Sequence, residues 1–381
     1  MDSDLSIPIE GLCEPAFQRV ADAFEHNFRE RGEIGAAVCV YADGRKVVDL
    51  WGGLADPEAR TPWRRDTIVC MMSVGKAMAG ICVLRLVDQG AIELDAPVAR
   101  YWPRFAQAGK EAITVEQLLG GFAGLIYAEH APPGSMMDWE AQVDALELQA
   151  PVWPPGTRGA YHSMTAGVLF GELARKVDGR DVASFFREEI AEPLGIDYGF
   201  GLNDAQIARV APMIPNPGSV TLQAIADPTS NLGKAWRAKP PGSDFFNSDS
   251  FRRGLAPSAN GHGNARAVAR LYAALALGGT IDGVQVLTRE TLERARQTQW
   301  DSVCGLTERH FRYGLSFMLN QPPFADFGPN MNVFGHPGAG GAVGLADPDA
   351  GKSFSYSPNF MCAGAGLGDR CEALIAAWAG A

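Results

Sequence analysis

The sequence predicts an α+β fold: an antiparallel sheet flanked by N- and C-terminal helices, with a mainly helical lobe inserted between its two halves. Three observations carry this prediction. Strand-like runs gather near both ends of the chain, helical spacing with heavy Pro and Gly punctuation fills the middle, and a helix is expected close to each terminus. With 381 residues, 46% of them hydrophobic and 20% charged, the chain can bury a sizeable core. Residues 1–66 and 310–381 are expected to build the sheet lobe and 67–309 the helical lobe, the two forming one unit.

Taken in order, residues 15–31 place Phe17, Val20, Phe24 and Phe28 at helical spacing with charged residues between them, and Pro15 suits a first turn. Residues 35–41 and 46–51 are apolar runs joined by Ala42-Asp43-Gly44-Arg45, where Asp-Gly tolerates the positive φ of a tight hairpin. A short apolar stretch at 67–72 leads into 77–88, rich in Ala, Met and Leu, which Gln89-Gly90 stops. Thr114 is the expected cap of a short helix over 115–118. Pro-Gly clusters at 132–134, 154–156 and 240–242 mark loops able to wall a cleft. Helices are expected over 165–177 and 264–277, the second capped by Asn264. Strands return over 312–319, 333–336, 342–347 and 353–360, and 369–378 closes as a helix.

A net charge of −11 and a pI near 5.1 disfavour nucleic acid and anionic membrane surfaces as partners. The start Met1-Asp2-Ser3-Asp4 is acidic where a secretory leader needs a basic start, and no apolar run reaches membrane-spanning length, so the expected location is cytoplasmic. The seven cysteines are scattered and odd in number, which reads as reduced core residues. No Cys-x-x-Cys or His-Glu-x-x-His is present, and no metal is expected.

Chemistry is first suggested by Ser73-Val74-Gly75-Lys76, a hydroxyl and an amine three residues apart at an expected helix start. One turn puts both on one face. The helix N-terminus and partial desolvation would lower the lysine's pKa and let it act as a base. The competing reading is an N-cap serine and a solvated lysine. Tyr161-His162-Ser163 follows a Pro-Gly turn, so a tyrosine is held on a loop before the 165–177 helix. A nearby ammonium would favour its phenolate and suit it to proton relay. Gly335-His336-Pro337-Gly338-Ala339-Gly340-Gly341 lies between two expected strands, where bare N–H groups can receive an acyl oxyanion.

In this order, Ser-x-x-Lys, Tyr-x-Ser and His-x-Gly resemble the serine β-lactamase and penicillin-binding protein superfamily. Within it, the chain looks most like the class C-related family VIII carboxylesterases, with further support from Val48 to Gly53, Ser258 to Leu271 and Phe334 to Pro348. The resemblance implies a β-lactamase/transpeptidase-like fold and no cofactor. Its substrate would be a small-molecule ester with a short acyl chain; it says nothing of oligomeric state. It also implies Ser73 as acylated nucleophile, Lys76 as its activating partner and Tyr161 as general base and acid. The oxyanion donors would be the N–H of Ser73 and one after His336, Ala339 being favoured with Gly338 left open, and His336 itself would belong to the same substrate-binding set.

Three departures shape the expected specificity. His336 stands where relatives commonly have lysine, Ser163 where they have asparagine, and 118–125 lacks their Ser-His form. The first two changes remove groups that bind carboxylates and amides, so weak carboxylate recognition and preference for neutral esters are expected. Water activation would fall to Tyr161 and Lys76. An α/β-hydrolase is set aside because Met71-Met72-Ser73-Val74-Gly75 lacks the first glycine of Gly-x-Ser-x-Gly. Amidase, D-peptidase, weak β-lactamase and acyltransferase activities stay open on the same fold, as does a non-catalytic scaffold.

Overall fold

Alternating side chains decide how the chain's ends meet. The computed structural model describes residues 8–242, 244–364 and 366–381, so the acidic start at 1–4 lies outside the described residues. In chain order, β1 (Ile9–Cys13), α1 (Gln18–Glu30), β2 (Gly35–Ala42) and β3 (Arg45–Asp56) come first. The helices α2 (Val74–Asp88), α3 (Thr165–Asp178), α4 (Val220–Ala226), α5 (Asn231–Ala235) and α6 (Ala265–Ala276) follow. Then come β4 (Trp300–Val303), β5 (His310–Tyr313), β6 (Met318–Leu319), β7 (Phe334–Pro337), β8 (Val343–Asp347), β9 (Lys352–Pro358) and α7 (Asp369–Ala379). The main sheet runs β1-β3-β2-β9-β8-β7-β6-β5-β4, antiparallel throughout, and Val40 of β2 faces Phe354 of β9. One sheet is therefore made from both ends of the chain, as the fold class predicted.

Asp43 and Gly44 take φ of 48° and 76° at the β2–β3 turn, the left-handed pair that Asp-Gly accommodates. In β9 the run Ser353-Phe354-Ser355-Tyr356-Ser357 sorts two layers. The Ser353 hydroxyl donates to Ala269 O at 2.7 Å and Ser357 Oγ accepts from the Ala265 N–H at 3.1 Å, both on α6. On the other face Phe354 lies 5.6 Å from the Trp378 ring of α7, which packs against α1. Small hydroxyls bring one helix close and aromatic rings hold the other off.

α2 is buried on every side from Val74 to Leu84 and packs against α3. A helix apolar all round belongs in the middle of a protein, and its first turn opens beside β7. Two expectations change. The strand expected over 312–319 breaks between β5 and β6, where Ser316 adopts φ 65° so that its hydroxyl reaches Lys76 O at 3.0 Å. The sheet also takes in β4, from the segment expected to be helical; it pairs only with β5 and carries no long apolar run. The caps fall where expected: Thr114 makes a capping box with Gln117, and Asn264 accepts from the Ala267 N–H.

All seven cysteines are unbridged, six of them buried. Among the described residues, no helix is long and apolar enough to cross a membrane and no His, Cys, Asp or Glu cluster could hold a metal.

Candidate active site

Ser73 occupies the N-cap of α2, yet its side chain caps nothing. It lies at the bend after Met72, a non-glycine residue held at φ 48°. Strain of this kind is tolerated where surrounding contacts over-determine it, and here the Met71 N–H donates to Gly261 O at 2.8 Å. One turn on, Lys76 is fully buried; its Nζ sits 2.9 Å from Ser73 Oγ and 2.7 Å from Ser258 O. Burial alone holds the amine well below its ordinary pKa of 10.5, and among the described residues it has no ion-pair partner. Once neutral, the amine can keep an N–H on Ser258 O while turning its lone pair to the serine hydroxyl.

Glycines permit this approach. A Cβ on Gly75 would fall 2.2 Å from Pro257 O, and one on Gly167 would fall 2.4 Å from Ser258 N. The 257–258 turn therefore fits between α2 and α3, where Ser258 Oγ accepts from the Gly167 N–H at 2.7 Å. Sequence reasoning missed Ser258 because its backbone carbonyl, not its side-chain chemistry, holds the lysine.

Tyr161 is buried, with its hydroxyl close enough to the Ser73 side chain to feel it electrostatically. Its ring lies 4.8 Å from Lys76 Nζ and stacks on Phe311 at 6.0 Å. The expected shift toward phenolate is reversed: burial raises the Tyr161 pKa, with only partial opposition from the Ser73 hydroxyl. Burial outweighs what the neighbouring amine could do for the anion, so the phenol keeps its proton.

The 335–341 segment forms β7 and the turn after it. A Cβ on Gly338 would fall 2.2 Å from Met71 O, so this glycine allows the turn to lie against the strand leading to Ser73. The Gly338 N–H is spent on Ala342 O at 2.6 Å, which removes it as an oxyanion donor. The N–H groups of Ser73 and Ala339 have no acceptor among the described residues.

His336 is fully buried behind Tyr161, the ring centroids 5.9 Å apart, and does not line the cleft. Its Nδ1 meets Pro337 O at 2.8 Å, and burial with the nearby Lys76 lowers its pKa to about 3. Contrary to expectation, its side chain is a neutral backing for Tyr161 and not a substrate contact.

The cleft above Ser73 has a volume of about 500 Å³. Val220 and Ile225 of α4, Leu232 of α5, Trp236, Leu306 and Phe324 make its walls largely apolar. Ser163 also opens onto it and accepts from Trp236 Nε1 at 3.1 Å. Glu308 and Arg309 are its charged lining residues among those described; Arg158, which stacks on Trp153, and Arg252 lie elsewhere. His162 stays out of the cleft too, its Nε2 accepting from the Leu125 N–H and its Nδ1 facing Ala160 O. It thereby ties the 118–125 segment to the Tyr161 loop.

A family model described as Beta-lactamase matches residues 20–366. The chain is 35% identical over 365 residues to Esterase/beta-lactamase LipL of Mycobacterium tuberculosis, spanning 92% of this chain and 82% of that protein. Among solved structures it matches a family VIII carboxylesterase with a TM-score of 0.88 and 35% identity, over 97% of this chain and 99% of the other. A penicillin-binding protein homolog from Caulobacter crescentus matches with a TM-score of 0.87 and 38% identity, again over 97% and 99%.

Proposed function

Because the chain belongs to the beta-lactamase family and is a serine hydrolase, we propose that it cleaves carboxylic esters of short acyl chains through an acyl-enzyme on Ser73. The observation that carries this reading is the contact of a buried Lys76, its pKa depressed by burial, with Ser73 Oγ at the floor of an apolar cleft. Lys76 Nζ takes the serine proton as Oγ attacks the ester carbonyl. The oxyanion is received by the N–H groups of Ser73 and Ala339. On collapse the C–O bond to the alcohol breaks, Tyr161 gives its proton to the leaving oxygen, and the Lys76 ammonium restores that proton to Tyr161.

Water then attacks the acyl-enzyme, its proton passing to the Tyr161–Lys76 pair as Oγ leaves and is reprotonated. The neutral, buried His336 supports the ester reading, because it offers no cation to an anionic substrate. Arg309 on the cleft wall favours a second reading, residual β-lactam hydrolysis, and the relative LipL is called both esterase and beta-lactamase.

The test is labelling with a fluorophosphonate followed by peptide mass spectrometry, beside turnover of p-nitrophenyl esters of increasing acyl length and of nitrocefin. The adduct is expected on Ser73, with Ser73→Ala inert and butyrate esters turned over far faster than nitrocefin. An adduct on another serine, or full activity in Ser73→Ala, would end this reading. Comparable rates on nitrocefin would overturn the substrate assignment.

A further inference from the structure

Tyr161 lies in a loop, so no strand or helix ladder satisfies its backbone N–H. That N–H donates instead to Cys304 Sγ at 3.2 Å, and the same sulfur receives the Leu306 N–H at 3.4 Å. Cys304 is fully buried. Its N–H donates to Arg309 O at 2.7 Å, its carbonyl accepts from the Glu308 N–H at 3.1 Å, and the next N–H, of Gly305, donates to Gly159 O at 3.0 Å. Gly305 leaves room for Trp153, whose ring would lie 2.5 Å from an added Cβ. One side of this turn therefore grips the loop that carries Tyr161. Its other side, Leu306 to Arg309, is cleft wall.

From this geometry we propose that Cys304 is a positioning residue. Its thiol sulfur fixes Tyr161 relative to Ser73 and couples that placement to the cleft wall at 306–309. The inference rests on the proposed role of Tyr161. Sulfur suits the task because a large, soft atom accepts from two N–H groups that approach from different segments. Stacking by Phe311 sets the plane of the Tyr161 ring, while the sulfur sets the height of its backbone. Two buried N–H groups lose their acceptor if the sulfur is removed, and the loop must shift to regain one. A displacement near 1 Å at a reacting group is worth about a hundredfold in rate.

The experiment compares Cys304→Ala, Cys304→Val and Cys304→Ser with the parent and with Tyr161→Phe, measuring kcat, KM, the pH–rate profile and the unfolding midpoint. Alanine and valine are expected to lower kcat about tenfold to a hundredfold and to displace the pH–rate profile, with serine recovering most of the rate. KM should change with substrates long enough to reach residues 306–309. A purely structural cysteine would lower the unfolding midpoint while leaving kcat per folded molecule and the pH profile unchanged, and that outcome in either alanine or valine overturns the proposal. If neither variant folds, amide hydrogen exchange on the parent decides: core-like protection of Tyr161 and Leu306 supports the two hydrogen bonds, and fast exchange at either overturns them. Full activity in Tyr161→Phe would instead strike the proposed function, which keeps the two failures apart.

Discussion

Replacing Lys76 by methionine tests whether the amine is neutral before substrate arrives. Methionine is close in volume, so packing around α2 should survive. In the folded parent, burial depresses the amine's pKa, whereas in the unfolded chain it returns to its ordinary 10.5. Between the depressed value and 10.5 the unfolded state therefore binds one more proton, and parent stability rises with pH relative to the variant. One proton corresponds to about 1.4 kcal/mol for each pH unit that lies between the depressed value and 10.5, so the difference should climb with pH. Full burial means no discount for solvent screening is needed. The lost bond to Ser258 O adds a near-constant offset of about 1 kcal/mol, which leaves the slope untouched. Equilibrium urea unfolding of both proteins at pH 7, 8 and 9 gives the difference, from which other titrating groups cancel. A difference that stays flat would mean Lys76 is charged in the folded protein, and the assignment of Lys76 as base would fall.

Tyr161→Phe and Lys76→Ala should each lower kcat about a hundredfold or more, while the double variant costs far less than the product; multiplicative losses would show separate proton paths. Ala339→Pro removes the proposed oxyanion donor and should cost about 10²–10³ in kcat with little change in KM, checked by steady-state kinetics. Trp236→Ala deletes an apolar wall of the cleft and frees the Ser163 hydroxyl, so the preferred acyl chain should lengthen. An unchanged chain-length profile across p-nitrophenyl esters would place the acyl group elsewhere.

The residues fall into two kinds by how far they could be read from sequence. The Asp43-Gly44 turn, the Asn264 cap and the Ser73–Lys76 pair were legible because each depends on contacts within a few residues. Tyr161 was legible only through its order with the other two motifs. Its ionisation was misjudged because burial is a tertiary property and overrode the expected effect of a lysine nearby. The roles of Ser258 and Cys304 were not legible, although Ser258 opens a stretch that supports the resemblance, since they act through a carbonyl and a sulfur brought from far along the chain. His336 was misplaced for the related reason that strand sequence does not say which face of β7 is covered. The break at Ser316 was hidden by an apolar run that reads as one strand, although a single left-handed residue divides it.

Pairing β2 with β9 bears on how the protein is made. The hairpin and the helix carrying Ser73 leave the ribosome early, but the open edge of β2 has no partner until residues 352–358 have been synthesised. Closing a loop of that length carries an entropic cost before any native contact repays it, which places the assembly among slow, non-local folding reactions. Until then a largely apolar strand stands exposed to other nascent copies, a setting in which aggregation and dependence on chaperones are expected. The turn with Ala339 also comes late, so Ser73 meets its second oxyanion donor only as the sheet closes, and no hydrolytic activity should precede release of a complete sheet.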